Sequence, residues 1–150
     1  MAGMEKMKTI SELVVKRWFV KCWRDWALVV YTYEPNAGGT VGVADLQISH
    51  NGRLVPIELK VGDFRKGKLL IHMIRPAQVH FHEELERERI FSCFLVAVGS
   101  GSTVERLFAF DGYRAKEYLG KVDPSWLKEI DPKDMVNQLR EYLDKFIPKN

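Results

Sequence analysis

Asp45, Glu58 and Lys60 are the three side chains whose types and spacing carry the clearest chemistry in this sequence. Between them, Asn51-Gly52 is the preferred residue pair of a type I′ hairpin turn, flanked by His50 and Arg53. Counted outward from that turn, Asp45 falls directly opposite Glu58. Opposed residues share a face of a sheet, with Cβ atoms roughly 4.5–5.5 Å apart, and Lys60, two residues on, points to that face as well. The other face reads Ala44, Leu46 and Ile48 against Val55, Ile57, Leu59 and Val61, a core surface.

Two carboxylates so placed repel each other, and burial raises the pKa of at least one. A divalent cation removes the conflict. Mg²⁺ takes oxygen ligands, often one or two carboxylates with water and phosphate oxygens completing the set. Asp45, Glu58, the Leu59 carbonyl and a substrate phosphate make such a set. A cation there acidifies a bound water and neutralises charge on phosphoryl oxygens. Lys60 would orient or deprotonate that water, or offset charge in the transition state. For Glu-x-Lys alone, a surface hairpin with an ion pair is the blander reading; the matched Asp45 weighs against it.

Such a hairpin needs a scaffold. Thr9-Ile10-Ser11-Glu12 has the form of a capping box, with Thr9 as N-cap and Glu12 reaching back, opening a helix to about residue 26. On that helix Val15, Trp18, Phe19, Cys22, Trp23 and Trp26 share one face, and Arg17, Lys21 and Arg24 the opposite one. The tryptophans are read as core rather than as a base-stacking platform. Glu12 falls inside the apolar face, an odd place for a carboxylate without a partner. Strands are expected over 27–33, 43–49, 53–61, 92–98 and 104–110, and helices over 76–89, 113–119 and 134–146, with Pro76 in a first helical turn. His80 and His82, two apart on a helix, point away from each other and cannot share a metal; His80 is assigned to the surface and His82 to packing or substrate. The glycine-rich stretch 38–42 lacks the spacing of a phosphate loop and reads as a flexible approach to the site.

This order predicts an α/β fold, a mixed central β-sheet flanked by helices, in one domain over 1–150. A length of 150 residues with 46% hydrophobic content supports one core and not two. No apolar run approaches the roughly 20 residues of a membrane span, and the first eleven residues lack a secretory apolar stretch. A soluble cytoplasmic protein with no membrane partner is therefore expected. Cys22 and Cys93 lack the spacing of a metal site and read as buried thiols. A net charge of +3 decides little. Its distribution says more: Lys16, Arg17, Lys21 and Arg24 cluster in the first helix, and Arg65, Lys66 and Lys68, then Arg75, follow the Glu-x-Lys strand. Such clusters suit nucleic-acid phosphates, and solvated faces explain them equally well.

Gly42-Val43-Ala44-Asp45, followed after the turn by Pro56-Ile57-Glu58-Leu59-Lys60, resembles the signature of the PD-(D/E)XK nuclease superfamily, with Ala44 where the motif has Pro. Within it, the likeness is to Holliday-junction resolvase-like and VRR-NUC-type nucleases, including small phage-encoded members. It covers roughly residues 12–98. The resemblance implies a restriction-endonuclease-like αβββαβ core followed by C-terminal helices. It implies Asp45 and Glu58 as metal ligands and Lys60 as the catalytic lysine. Glu12 resembles the additional acidic residue many members bring to the metal. Gln78 resembles the glutamine on the helix after the Glu-x-Lys strand; at helical spacing it shares a face with Ile74, Phe81 and Leu85, aimed at the sheet. Thr40 stands where archaeal-type resolvases carry a hydroxyl residue that meets DNA. The implied activity is Mg²⁺-dependent endonucleolytic cleavage of DNA, structure-selective, with Mn²⁺ substituting, by a homodimer of viral or mobile-element origin. Two alternatives stay open: a nuclease acting on RNA or on single-stranded or flap DNA, and a catalytically silent DNA-binding subunit.

Overall fold

A computed structural model describes residues 9–31 and 44–149 of the chain. The first helix, α1 (Glu12–Arg24), is capped by Ser11, whose Oγ accepts from the Val14 N–H at 3.2 Å. The expected capping box on Thr9 is therefore wrong by two residues. Thr9 instead bridges to Ser100, and the Ile10 N–H donates to the Gly99 carbonyl at 3.2 Å, so the chain stays extended until Ile10 is buried. Glu12 becomes the first helical residue, and its side chain is released from capping. Val15, Phe19, Val20 and Trp23 form the buried stripe, with Trp18 and Cys22 packed at its edge. Trp26 does not join them: it is 54% exposed, with the Arg140 guanidinium 4.0 Å over its ring.

The chain continues through β1 (Val29–Tyr31), β2 (Leu46–His50) and β3 (Arg53–Arg65). Asn51 and Gly52 take φ of 49° and 80°, as a type I′ turn demands. The expected register holds from His50↔Arg53 to Leu46↔Ile57. β2 begins at Leu46 rather than at 43, so Asp45 sits one residue before it. β3 is longer than expected. Residues 62–65 pair with β4 (Lys68–Ile71) through a second turn at Lys66 and Gly67, with φ of 52° and 79°. The basic loop expected after Val61 is thus a hairpin.

Helix α2 (Pro76–Arg87) leads to β5 (Cys93–Ser100), which lies parallel to β3, and β6 (Thr103–Asp111) returns antiparallel to β5. A 3₁₀ segment, Gly112–Tyr118, replaces the short helix expected there. The short strands β7 (Lys121–Val122) and β8 (Lys128–Ile130) were not anticipated, and α3 (Met135–Asp144) closes the chain. The result is α/β: a mixed, mostly antiparallel eight-stranded sheet in the order β1-β2-β3-β5-β6-β8, with β4 joining the far half of β3 and β7 joining β4.

Each face of the sheet has its own core. On one, Leu46, Ile48, Val55, Ile57 and Leu59 meet the stripes of α1 and α3. On the other, Phe94, Val96, Phe108 and Phe110 meet Val79 of α2 and the 3₁₀ segment. Both cysteines are free thiols, Cys93 buried and Cys22 half-buried. Among the described residues, no helix is long and apolar enough to cross a membrane.

Candidate active site

Alternation along β3 sends Leu59 into the α1 core and turns Glu58 and Lys60 to the opposite face, beside Phe94 and Val96 of β5. There they are nearly inaccessible, Glu58 at 1% and Lys60 at 3% exposure. Asp45 joins them from the start of β2: its Oδ2 accepts the Leu59 N–H at 2.9 Å, filling the place a ladder carbonyl would take had β2 begun earlier. N–H and C=O of one strand residue point to the same side, so the Leu59 carbonyl faces the side on which Asp45 lies.

Gln78 occupies the third position of α2. Its Oε1 accepts from the Arg75 N–H at 2.9 Å, and its Nε2 donates to Glu58 Oε1 at 2.7 Å. One amide thus ties the helix start to the strand carboxylate. Lys60 Nζ donates to the Met73 carbonyl at 2.9 Å and lies 3.8 Å from Glu12 Oε1. Glu12 therefore reaches the site through Lys60. Among the described residues, no three His, Cys, Asp or Glu side chains converge closely enough to hold an ion by themselves.

Burial pushes the Glu58 carboxyl up to about 9; the neighbouring Asp45 adds to the rise, Lys60 opposes it and Glu12 adds again. Its Oε2 is buried and has no hydrogen-bond partner among the described residues. A buried carboxylate beside a half-buried one resists ionisation without a compensating charge. A hard cation with oxygen preference would satisfy the free lone pairs and offset the repulsion. Asp45, Glu58 and the Leu59 carbonyl fit such an ion.

The remaining expectations fall unevenly. Val79 and His82, not Phe81 and Leu85, form the buried side of α2; Phe81 and Leu85 open onto a surface groove with Ala77, His80, Glu84 and Glu88. His80 is on the surface, 3.3 Å from Glu84. Arg65, Lys66 and Lys68 crown the β3–β4 hairpin; Arg65 meets Asp63 at 3.1 Å and Lys68 meets Asp123 at 3.5 Å. Arg65 is five residues beyond Lys60, roughly 17 Å along the strand, so the hairpin tip stands apart from the carboxylates. Arg75, exposed at the N-cap of α2, is next to the site through its backbone bond to Gln78. Thr40 lies outside the described residues.

No protein-family model matches the chain, and no curated protein matches it.

Two further residues stand at the site: His82, expected in packing or at the substrate, and Met73, for which the sequence carries no expectation. His82 is completely buried, with Nδ1 2.7 Å from Ser92 Oγ and Nε2 3.8 Å from Glu58 Oε2. Met73, in the left-handed region at φ 56°, supplies the carbonyl that holds Lys60. For His82 a signal existed: it is four residues after Gln78, one helical turn along the same side. For Met73 there was none, because a backbone carbonyl has no sequence signature.

Proposed function

We propose that this chain is a divalent-cation-dependent phosphodiester hydrolase acting on DNA, of the PD-(D/E)XK kind that its motifs resemble. One observation carries the reading: half-buried Asp45 meets buried Glu58, with Lys60 on the same strand face, and Gln78 bonds Glu58 from the following helix. A structural ion pair does not need a second acid. A core position does not need either.

Mg²⁺, or Mn²⁺ in its place, held by Asp45, Glu58 and the Leu59 carbonyl, would supply an acidified water and charge neutralisation at the phosphate. The chain's own groups do the rest. Gln78 takes one lone pair of Glu58 Oε1 and so orients the carboxylate, whose remaining lone pairs are available to the ion. Lys60, locked by the Met73 carbonyl, presents a positive charge beside the acidic pair, where it can orient the attacking water or offset charge on phosphoryl oxygens. Glu12, close to Lys60 and partly open to solvent, steadies the ammonium. The exposed cations of the β3–β4 hairpin and Arg75 suit phosphates flanking the cleaved bond. A preference for branched DNA, a dimeric assembly and an intracellular place of action accompany the family resemblance.

The test is cleavage of labelled four-way junction, linear duplex and single-stranded DNA with Mg²⁺, Mn²⁺ or EDTA. Native protein should cut in either metal and not in EDTA, and Lys60→Ala should lose about 100-fold or more of the rate. Absence of cleavage on every substrate, RNA included, by protein that binds DNA would replace this reading with that of a silent binding subunit.

A further inference from the structure

Among the described residues, two buried polar atoms lack hydrogen-bond partners and lie 3.8 Å apart: Glu58 Oε2 and His82 Nε2. We propose that His82, anchored by Ser92, is the positioning residue that holds the second oxygen of Glu58 when that carboxylate takes up its cation. The proposal rests on the metal-dependent reading of Asp45 and Glu58 given above.

The geometry is directed at every joint. Gln78 and His82, one turn apart on α2, address the two oxygens of one carboxylate, Gln78 at Oε1 with a bond of 2.7 Å and His82 at Oε2. The imidazole cannot swing away: its Nδ1 is 2.7 Å from Ser92 Oγ, and its ring lies 4.6 Å from Phe94 and 5.3 Å from Phe81. Gly112 closes the back of the pair. A Cβ at that position would overlap Ser92 Oγ and come 2.5 Å from His82 Nδ1. Its φ is not in the left-handed region, so the glycine is there for space and not for conformation. The Gly112 N–H also donates to the Ser92 carbonyl at 2.8 Å, fixing the serine that fixes the histidine.

A neutral imidazole has one N–H and one acceptor nitrogen. The tautomer that satisfies both ends places the proton on Nε2, toward Glu58, with the Ser92 hydroxyl donating to Nδ1. A gap of 3.8 Å is too long for a hydrogen bond. Bonds of this kind often tighten only when the loaded site forms, and a small rotation of the carboxylate closes the distance. Partners behind ligating carboxylates are worth about 10- to 100-fold in metal affinity.

The experiment measures Mn²⁺ and Mg²⁺ binding by calorimetry without substrate, for native protein, His82→Phe, His82→Gln and Ser92→Ala, with thermal unfolding in EDTA as the control on folding. His82→Phe keeps a ring and removes the donor; it should weaken metal binding about 10- to 100-fold. His82→Gln restores a donor and should recover part of the loss, and Ser92→Ala should fall between native and His82→Phe. In native protein, ¹⁵N spectra of the metal-bound state should show the His82 proton on Nε2. Native metal affinity in both His82→Phe and Ser92→Ala, or a proton on Nδ1 in the loaded protein, would overturn the proposal. If His82→Phe does not fold, Ser92→Ala and the native spectrum decide. Native protein that neither binds the ions nor cleaves DNA would instead fail the underlying nuclease reading, a different and separately visible result.

Discussion

Glu58 is folded into a place that disfavours its charge, and that has a measurable pH signature. Burial and Asp45 raise its carboxyl to about 9, against about 4.3 in an unfolded chain. Between those values the folded state holds a proton that the unfolded chain has released. Stability from this group is therefore fully present below about pH 4.3 and is lost as pH rises toward 9. Glu58→Gln fixes the neutral form. In EDTA, the stability of Glu58→Gln relative to native protein, read by urea denaturation, should increase from about pH 5 to about pH 9 and then level off. Adding Mg²⁺ at the upper end should reverse the ranking, because binding to the folded state stabilises native protein by mass action while the amide holds the ion poorly. A difference flat across the range would mean that Glu58 is ionised throughout.

At the scale of elements, the β2–β3 hairpin and the β3–β4 hairpin form by the same backbone chemistry, yet only the first was legible in the sequence. Asn51-Gly52 announces two positive φ angles, because asparagine and glycine tolerate them. Lys66-Gly67 adopts nearly the same angles, but lysine there carries no such signal, so the segment read as a loop. The spacing of Thr9 and Glu12 reads as a capping box; burial of Ile10 and the bridge to Ser100 outweigh that local pattern and leave the cap to Ser11. Strands of two or three residues such as β7 and β8 are too short to show alternation. The site was legible where it depended on register, since Asp45, Glu58 and Lys60 follow from a turn and a period of two. Gln78 came from the resemblance, and His82 needed the true buried side of α2. The unexpected hairpin also changes what its cations can do. Held out on a rigid tip, Lys66 should act as a phosphate contact: Lys66→Ala is expected to weaken DNA binding uniformly across sequences and to lower the salt slope by about 1. Fluorescence anisotropy over a salt series checks this, and an unchanged slope would place the DNA elsewhere.

Over the whole molecule, β3 divides stability from chemistry between its two faces. The side chains of Ile57 and Leu59 lie under α1 and α3 in an apolar core, and only the Leu59 backbone takes part in the carboxylate site. Glu58 and Lys60 share the other face with Phe94, whose ring packs on His82 and stacks on Phe110. The two faces should therefore respond differently to loss of an aromatic ring. Phe19→Ala, in the α1 core, should cost about 3–5 kcal/mol while the molecules that remain folded bind Mg²⁺ with native affinity. Phe94→Leu removes less volume and should cost about 1–2 kcal/mol, yet weaken Mg²⁺ binding several-fold, because it loosens the ring behind Glu58. Urea denaturation with and without Mg²⁺ separates the two effects, the metal-dependent increment reporting affinity and the metal-free midpoint reporting the core. Interiors are packed densely enough to transmit strain, so the sheet itself is the competing route. Equal loss of metal affinity in both variants would show that the strand couples its faces, and that the carboxylate site depends on the whole core and not on the α2 side alone.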